Sequence, residues 1–191
     1  MKINVGVSNK HVHLTKESFS ILFGEDFELT NFKELSQKGM FACQEKVTIE
    51  GPKGKIENVR IVGPYRPYNQ IEISKTDSFI LGVNPPVRNS GDLENSSPIT
   101  IIGPKGKLEL SNGCIIAARH IHISYDDLEK LSLNNNDTVS IKINSEKPAI
   151  LSNVYLKASE DANLELHLDT DDANANLLKQ GDEVEIILNE K

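Results

Sequence analysis

The chain has 191 residues and a mass of 21.2 kDa, enough for one domain or two small ones with a sizeable core. With 38% apolar and 26% charged residues it has the composition of a globular protein, and apolar runs such as 79–82 and 115–118 fall far short of the ~20 residues of a membrane helix. The net charge of -7 gathers at one end, with ten acidic against two basic residues from position 160 onward; no basic stripe with interleaved aromatics appears, so neither a nucleic-acid partner nor a membrane is expected.

The first residues, Met1-Lys2-Ile3-Asn4-Val5-Gly6-Val7, lack the apolar segment of a secretory signal, and the cytoplasm is the expected location. Next comes His11-Val12-His13-Leu14-Thr15, leading into an apolar-periodic helical stretch over 15–23. Alternation over 46–50 predicts a half-buried strand, followed by Gly51-Pro52-Lys53-Gly54. That tetrapeptide returns as Gly103-Pro104-Lys105-Gly106, ahead of an alternating stretch over 107–110. Pro second and Gly fourth suit a type I turn, so both copies are expected at hairpin corners. A phosphate-cradling loop is the sharper alternative, but neither copy has the P-loop spacing. Farther on, alternation over 139–143, 163–168 and 183–188 predicts strands, and capped stretches over 124–131 and 170–179 predict short helices. Cys43 and Cys114 have no Cys-x-x-Cys partner and are expected as small, buried, reduced thiols.

The chain also repeats itself. His120-Ile121-His122-Ile123-Ser124 matches the first His-x-His block, and Asn153-Val154-Tyr155-Leu156 matches Asn58-Val59-Arg60-Ile61. The register of the second match sets Glu72 against His167, so each half offers two histidines and one further ligand-type residue. The first half carries extra residues between its blocks, which an insertion around 27–39 explains.

All five histidines enter this scheme. Residues i and i+2 of a strand face one side about 6.6 Å apart, so His11 with His13, and His120 with His122, can converge on a cation. Zinc suits imidazole, and three protein ligands leave one position open for water or substrate. The bland alternative is a pair of surface or core histidines per strand; for Glu72 alone, a solvated outward carboxylate. Duplication and the aligned third residue count against both. Near these ligands lie Arg66, Arg88, Lys10 and Arg119. Arg66 is the first choice for gripping an anion through two parallel hydrogen bonds, and a guanidinium tied up by a neighbouring carboxylate is its bland reading. No serine or cysteine nucleophile with a base at recognisable spacing is present.

The blocks Val5-Gly6-Val7-Ser8-Asn9-Lys10-His11-Val12-His13-Leu14, Gly63-Pro64-Tyr65-Arg66, Gln70-Ile71-Glu72-Ile73-Ser74, Pro86-Val87-Arg88-Asn89-Ser90-Gly91-Asp92 and Ala118-Arg119-His120-Ile121-His122 resemble the propanediol-utilisation type phosphate acyltransferases. The resemblance implies a mainly β fold of two small β-barrels related by a pseudo-two-fold, with a few short capping helices. It implies one catalytic unit spanning 1–191, with internal repeats at approximately 1–93 and 94–191 and strands open to exchange between barrels. By the same resemblance the chain reversibly transfers a propanoyl or acetyl group between coenzyme A and inorganic phosphate. Two zinc ions, or another divalent transition metal, would sit at His11, His13 and Glu72 and at His120, His122 and His167. Arg66 would be the phosphate-binding arginine, with Arg88, Lys10 and Arg119 as further substrate-binding candidates. A homodimer and coupling to an acyl kinase are also implied. Lys10 stands where the family usually has Arg, and Asn69 where Thr is common. Encapsulated relatives carry an amphipathic extension before the first block; here the block begins at Ile3, so a free enzyme is expected. The rival readings are a metal-dependent hydrolase of thioesters or phosphate esters and a non-catalytic metal-binding β-barrel.

Overall fold

The computed structural model describes residues 1–188. In chain order its elements are β1 (Lys2–Ser8), β2 (His11–His13), α1 (Lys16–Phe23), β3 (Asn31–Glu34), β4 (Phe41–Glu50), β5 (Lys55–Gly63), β6 (Gln70–Glu72), α2 (Lys75–Leu81), β7 (Val87–Arg88), β8 (Ser97–Ile102) and β9 (Lys107–Ala117). They continue with β10 (His120–Ile123), α3 (Tyr125–Leu131), β11 (Thr138–Ile143), β12 (Ala149–Ala158), β13 (Glu165–Asp169), α4 (Thr170–Ala175) and β14 (Glu183–Ile187). The fold is mainly β, with two closed six-stranded barrels and four short helices. Two compact units carry the barrels: residues Lys10–Ala117 form one, and Met1–Asn9 with residues 118–188 form the other.

Strand order in the first barrel is β4-β5-β2-β6-β9-β8, with β8 returning to β4. The second runs β11-β12-β10-β13-β1-β14 and closes on β11. Pairing sense matches step for step. β2 lies parallel to β5 and antiparallel to β6, as β10 lies parallel to β12 and antiparallel to β13. β6 runs parallel to β9 as β13 runs parallel to β1. The N-terminal strand thus takes, in the barrel of the C-terminal residues, the place β9 takes in the other. Both barrels are closed, which removes the unpaired strand edges of an open sheet.

Alternation decides the faces. Val12, Ile49, Ile61, Ile71 and Ile101 are fully buried in the first core; Val5, Ile121, Ile141, Leu166 and Val154 are fully buried in the second. Each such side chain contributes about 1.5–3 kcal/mol by leaving water. β3 is exposed throughout, pairs only along β4, and lies within the expected insertion.

Helices α1 and α3 fall where the sequence places them, with Thr15 and Ser124 as N-caps. Helix α4 is shorter than expected and stops at Ala175 rather than near Lys179. Leu177 takes a left-handed φ of 54°, which turns the chain so that Leu178 enters the core. Helix α2 is absent from the sequence reading; a capping box between Ser74 and Asp77 starts it.

The two Gly-Pro-Lys-Gly segments are hairpin corners, closed by Gly51 N to Gly54 O and Gly103 N to Gly106 O, both 2.9 Å. Each also seals a helix end. The Lys53 N–H donates to Leu81 O and the Lys105 N–H to Leu22 O, both at 3.0 Å, satisfying carbonyls that α2 and α1 leave without partners. Such close approach explains the glycines, since a Cβ at Gly51 would stand 2.3 Å from Leu81 O and one at Gly103 2.5 Å from Leu22 O. Cys43 and Cys114 are buried and free, and burial pushes their thiols up to about 11 and about 12.

Candidate metal centres

Because Val12 points into the first core, His11 and His13 share the opposite face of β2. The antiparallel register of β2 with β6 sets His11 against Glu72 and His13 against Gln70, so the imidazoles and the carboxylate converge. One ligand atom from each of His11, His13 and Glu72 lies within 4.8 Å of the others. His11 Nε2 stands 3.6 Å from Glu72 Oε2, and the His11 and His13 rings meet edge-on at 4.9 Å between centroids.

The second barrel repeats this construction. Ile121 and Leu166 fill the core, and the register sets His120 against His167 and His122 against Glu165. His120, His122 and His167 meet the same 4.8 Å limit. His120 Nε2 and His122 Nε2 are 3.2 Å apart. Two nitrogens on a tetrahedral ion, each bonded at about 2.0–2.1 Å, would stand about 3.3 Å apart, so the spacing fits zinc.

Hydrogen bonds leave lone pairs at both clusters. Val62 O lies 3.0 Å from His13 Nδ1 and Ala118 O 2.8 Å from His120 Nδ1. A carbonyl only accepts, so each Nδ1 carries the proton and each Nε2 keeps its lone pair. Burial pulls the His13 pKa down to about 3, and the His11 imidazole and Arg66 guanidinium add to the effect. Burial likewise pulls His122 down to about 2, helped by His167 and His120. Both imidazoles are therefore neutral at ordinary pH, the form that binds a cation.

The basic candidates divide into two kinds. Lys10 Nζ pairs with Asp77 at 2.9 Å, and Arg119 pairs with Asp172 at 2.7 Å. Arg88 Nε stands 3.6 Å from Asp92. Arg66 differs: among the described residues its guanidinium has only neutral partners, Tyr68 Oη at 3.4 Å and Met40 Sδ at 3.5 Å. Its backbone N–H is tied to Leu14 O at 2.9 Å. This half-buried side chain lies close enough to His13 to depress its basicity, and no carboxylate among the described residues neutralises its charge.

Four polar residues at the clusters escaped the sequence reading. Gln70 donates to Glu72 Oε1 at 2.6 Å and to Ser90 Oγ at 2.8 Å. Glu165 Oε2 lies 2.6 Å from His167 Nε2, and Gln180 Nε2 reaches Glu165 Oε1 at 3.5 Å. The register that aligns Glu72 with His167 also aligns Gln70 with Glu165, and that was the available signal.

The family model for phosphate propanoyltransferase matches residues 4–179. A phosphate propanoyltransferase of Thermotoga maritima is 52% identical over 97% of this chain and 89% of its own length. Proteins of the same name from Priestia megaterium and Lachnoclostridium phytofermentans are 47% and 45% identical, over 94% and 97% of this chain and 83% and 87% of their own lengths. A match of that extent leaves one assignment: the chain belongs to the phosphate propanoyltransferase family and is an acyltransferase.

Proposed function

We propose that the protein reversibly converts a short acyl-CoA, propanoyl or acetyl, and inorganic phosphate into acyl phosphate and CoA at a two-zinc site. What carries the reading is the duplicated cluster, two imidazoles with a carboxylate and three imidazoles, together with a guanidinium that no carboxylate among the described residues neutralises. His11, His13 and Glu72 would hold one ion and His120, His122 and His167 the other. When bound, zinc supplies Lewis-acid polarisation of oxygen and favours the thiolate form of sulfur.

Arg66 binds the phosphate dianion by charge and paired N–H donors, and orients one phosphate oxygen toward the thioester carbon. A carbon–oxygen bond forms as the carbon–sulfur bond breaks, and CoA leaves with the electron pair of that bond. Tyr68 and Met40 hold the guanidinium without neutralising it, which keeps its charge for the phosphate. No group of the protein becomes acylated, so initial-velocity kinetics should show a ternary complex rather than a ping-pong pattern.

The test is an assay of acyl-CoA consumption with and without phosphate, on protein before and after chelation, with metal content counted. Phosphate-dependent loss with acyl phosphate formed, abolished by chelation and restored by zinc, supports the proposal. Phosphate-independent loss would make the protein a hydrolase, and binding without turnover a metal-binding barrel.

A further inference from the structure

In each barrel the residue two positions before the third ligand is buried and bonded to that ligand. Gln70 is 0% and Glu165 7% exposed. They occupy corresponding places, Gln70 opposite His13 and Glu165 opposite His122, on the strand face that carries the cluster. Their chemistry is inverted. Where the ligand is a carboxylate, its neighbour is an amide that donates a hydrogen bond to it. Where the ligand is an imidazole, its neighbour is a carboxylate that accepts one.

We propose that Gln70 and Glu165 are the positioning residues of the two centres, each matched in hydrogen-bonding sense to the ligand beside it. This rests on the reading of the clusters as metal centres.

At the first centre the Gln70 amide is held at both ends. Its Oε1 accepts from the Gly91 N–H at 2.7 Å, which leaves Nε2 to donate to Glu72 Oε1 and Ser90 Oγ. Glu72 Oε1 is thereby occupied, while Oε2 faces His11 Nε2. At the second centre the Glu165 side chain accepts from His167 Nε2, which puts the ring proton on that nitrogen and leaves the Nδ1 lone pair for a cation. Space for the pair comes from Gly6, because a Cβ there would stand 2.8 Å from Glu165 Cδ and 2.9 Å from His167 Cδ2. A carboxylate behind a ligating imidazole fixes its tautomer and raises its basicity. The polarity inversion argues against two incidental buried groups, since exchanging the residues would face Glu72 with a second carboxylate.

The experiment uses the full chain with 15N-labelled histidine and zinc titration against a competing chelator. Wild type is expected to bind two equivalents of zinc, with His167 protonated at Nε2. Glu165→Leu should weaken one equivalent by about 10–100-fold and leave the other unchanged, with the His167 tautomer no longer fixed. Glu165→Gln, which retains an acceptor without charge, should keep the tautomer and weaken that equivalent less. Gln70→Leu and Gln70→Glu should weaken the other equivalent alone. Should the leucine variants fail to fold, Glu165→Gln and Gln70→Glu decide the matter. Unchanged zinc affinity in folded variants, or a His167 proton on Nδ1 in wild type, would overturn the positioning role while leaving the metal reading standing. A wild type that binds no zinc would overturn both.

Discussion

Arg119 holds Asp172 through two parallel hydrogen bonds, 2.7 Å from Nε and 2.8 Å from Nη2. The same relation recurs between Lys10 and Asp77 at 2.9 Å. In both barrels the cation directly before the His-x-His strand is bound to an acid in the first turn of the helix that follows the third ligand. This ties the two ends of the ligand set together across about fifty positions in one barrel and more in the other, and the fork geometry of Arg gives the stronger clasp. A double-mutant cycle of Arg119→Met with Asp172→Asn should give a coupling of about 1–2 kcal/mol, and one of Lys10→Met with Asp77→Asn about 0.5–1 kcal/mol. Coupling near zero in both, read from urea unfolding, would make them incidental surface contacts.

Arg66 gives a kinetic prediction. Loss of a charge-assisted grip on phosphate costs about 1.5–3 kcal/mol, so Arg66→Ala should raise the KM for phosphate by about 10–150-fold. Arg66→Lys keeps the charge without the fork and should fall between wild type and Arg66→Ala. The KM for acyl-CoA should change little, and a phosphate saturation curve unmoved by either substitution would remove Arg66 from this role.

The hairpin corners give a stability prediction. A methyl group at Gly51 or Gly103 meets a helix carbonyl at 2.3 or 2.5 Å, so the corner must move away and abandon its bond to the helix end. Gly51→Ala and Gly103→Ala should each cost about 1–3 kcal/mol and lower the Tm by several degrees. At Gly39 nothing lies within 4 Å, so Gly39→Ala should show only the ~1–2 kcal/mol backbone penalty of its φ of +76°. Corner variants as stable as the wild type would show that the glycines are not required by this contact.

The buried histidines make stability depend on pH. In chelator-treated protein His13 and His122 stay neutral down to about 3 and about 2, whereas unfolded imidazoles take up protons below about 6.5. As pH falls through that window the unfolded state binds more protons, so stability drops, by at most ~1.4 kcal/mol per pH unit for each group. The urea midpoint should therefore fall between pH 7 and 5 and change far less between pH 7 and 8. An unchanged midpoint down to pH 5 would contradict their burial as neutral groups.

Much of the candidate site was legible because strand geometry is local. Two histidines one residue apart must share a face, and the internal register identified Glu72 and His167 as the third members of each set. What distinguishes Arg66 was not legible, since it consists of the lack of a carboxylate partner among groups brought close by folding. Gln70 and Glu165 stand in alternating strands, where a polar residue ordinarily faces solvent, and only the three-dimensional packing puts them inside. Two residues separate helix α2 from β6, so its first turn merges with the apolar pattern of that strand and no separate periodic stretch stands out. The parallel pairing of β1 with β13 leaves no local trace at all.

That pairing has a consequence for biosynthesis. The bond from the Val7 N–H to Gln180 spans 173 positions, and β1 has its two neighbours in β13 and β14, which are translated long after it. The barrel of residues 10–117 can close on the ribosome, while β1 waits, a row of open amides, for β13 and β14 to emerge. Ribosome-stalled chains ending before position 165 should therefore be clipped by protease within the first nine residues, while the barrel that follows resists digestion.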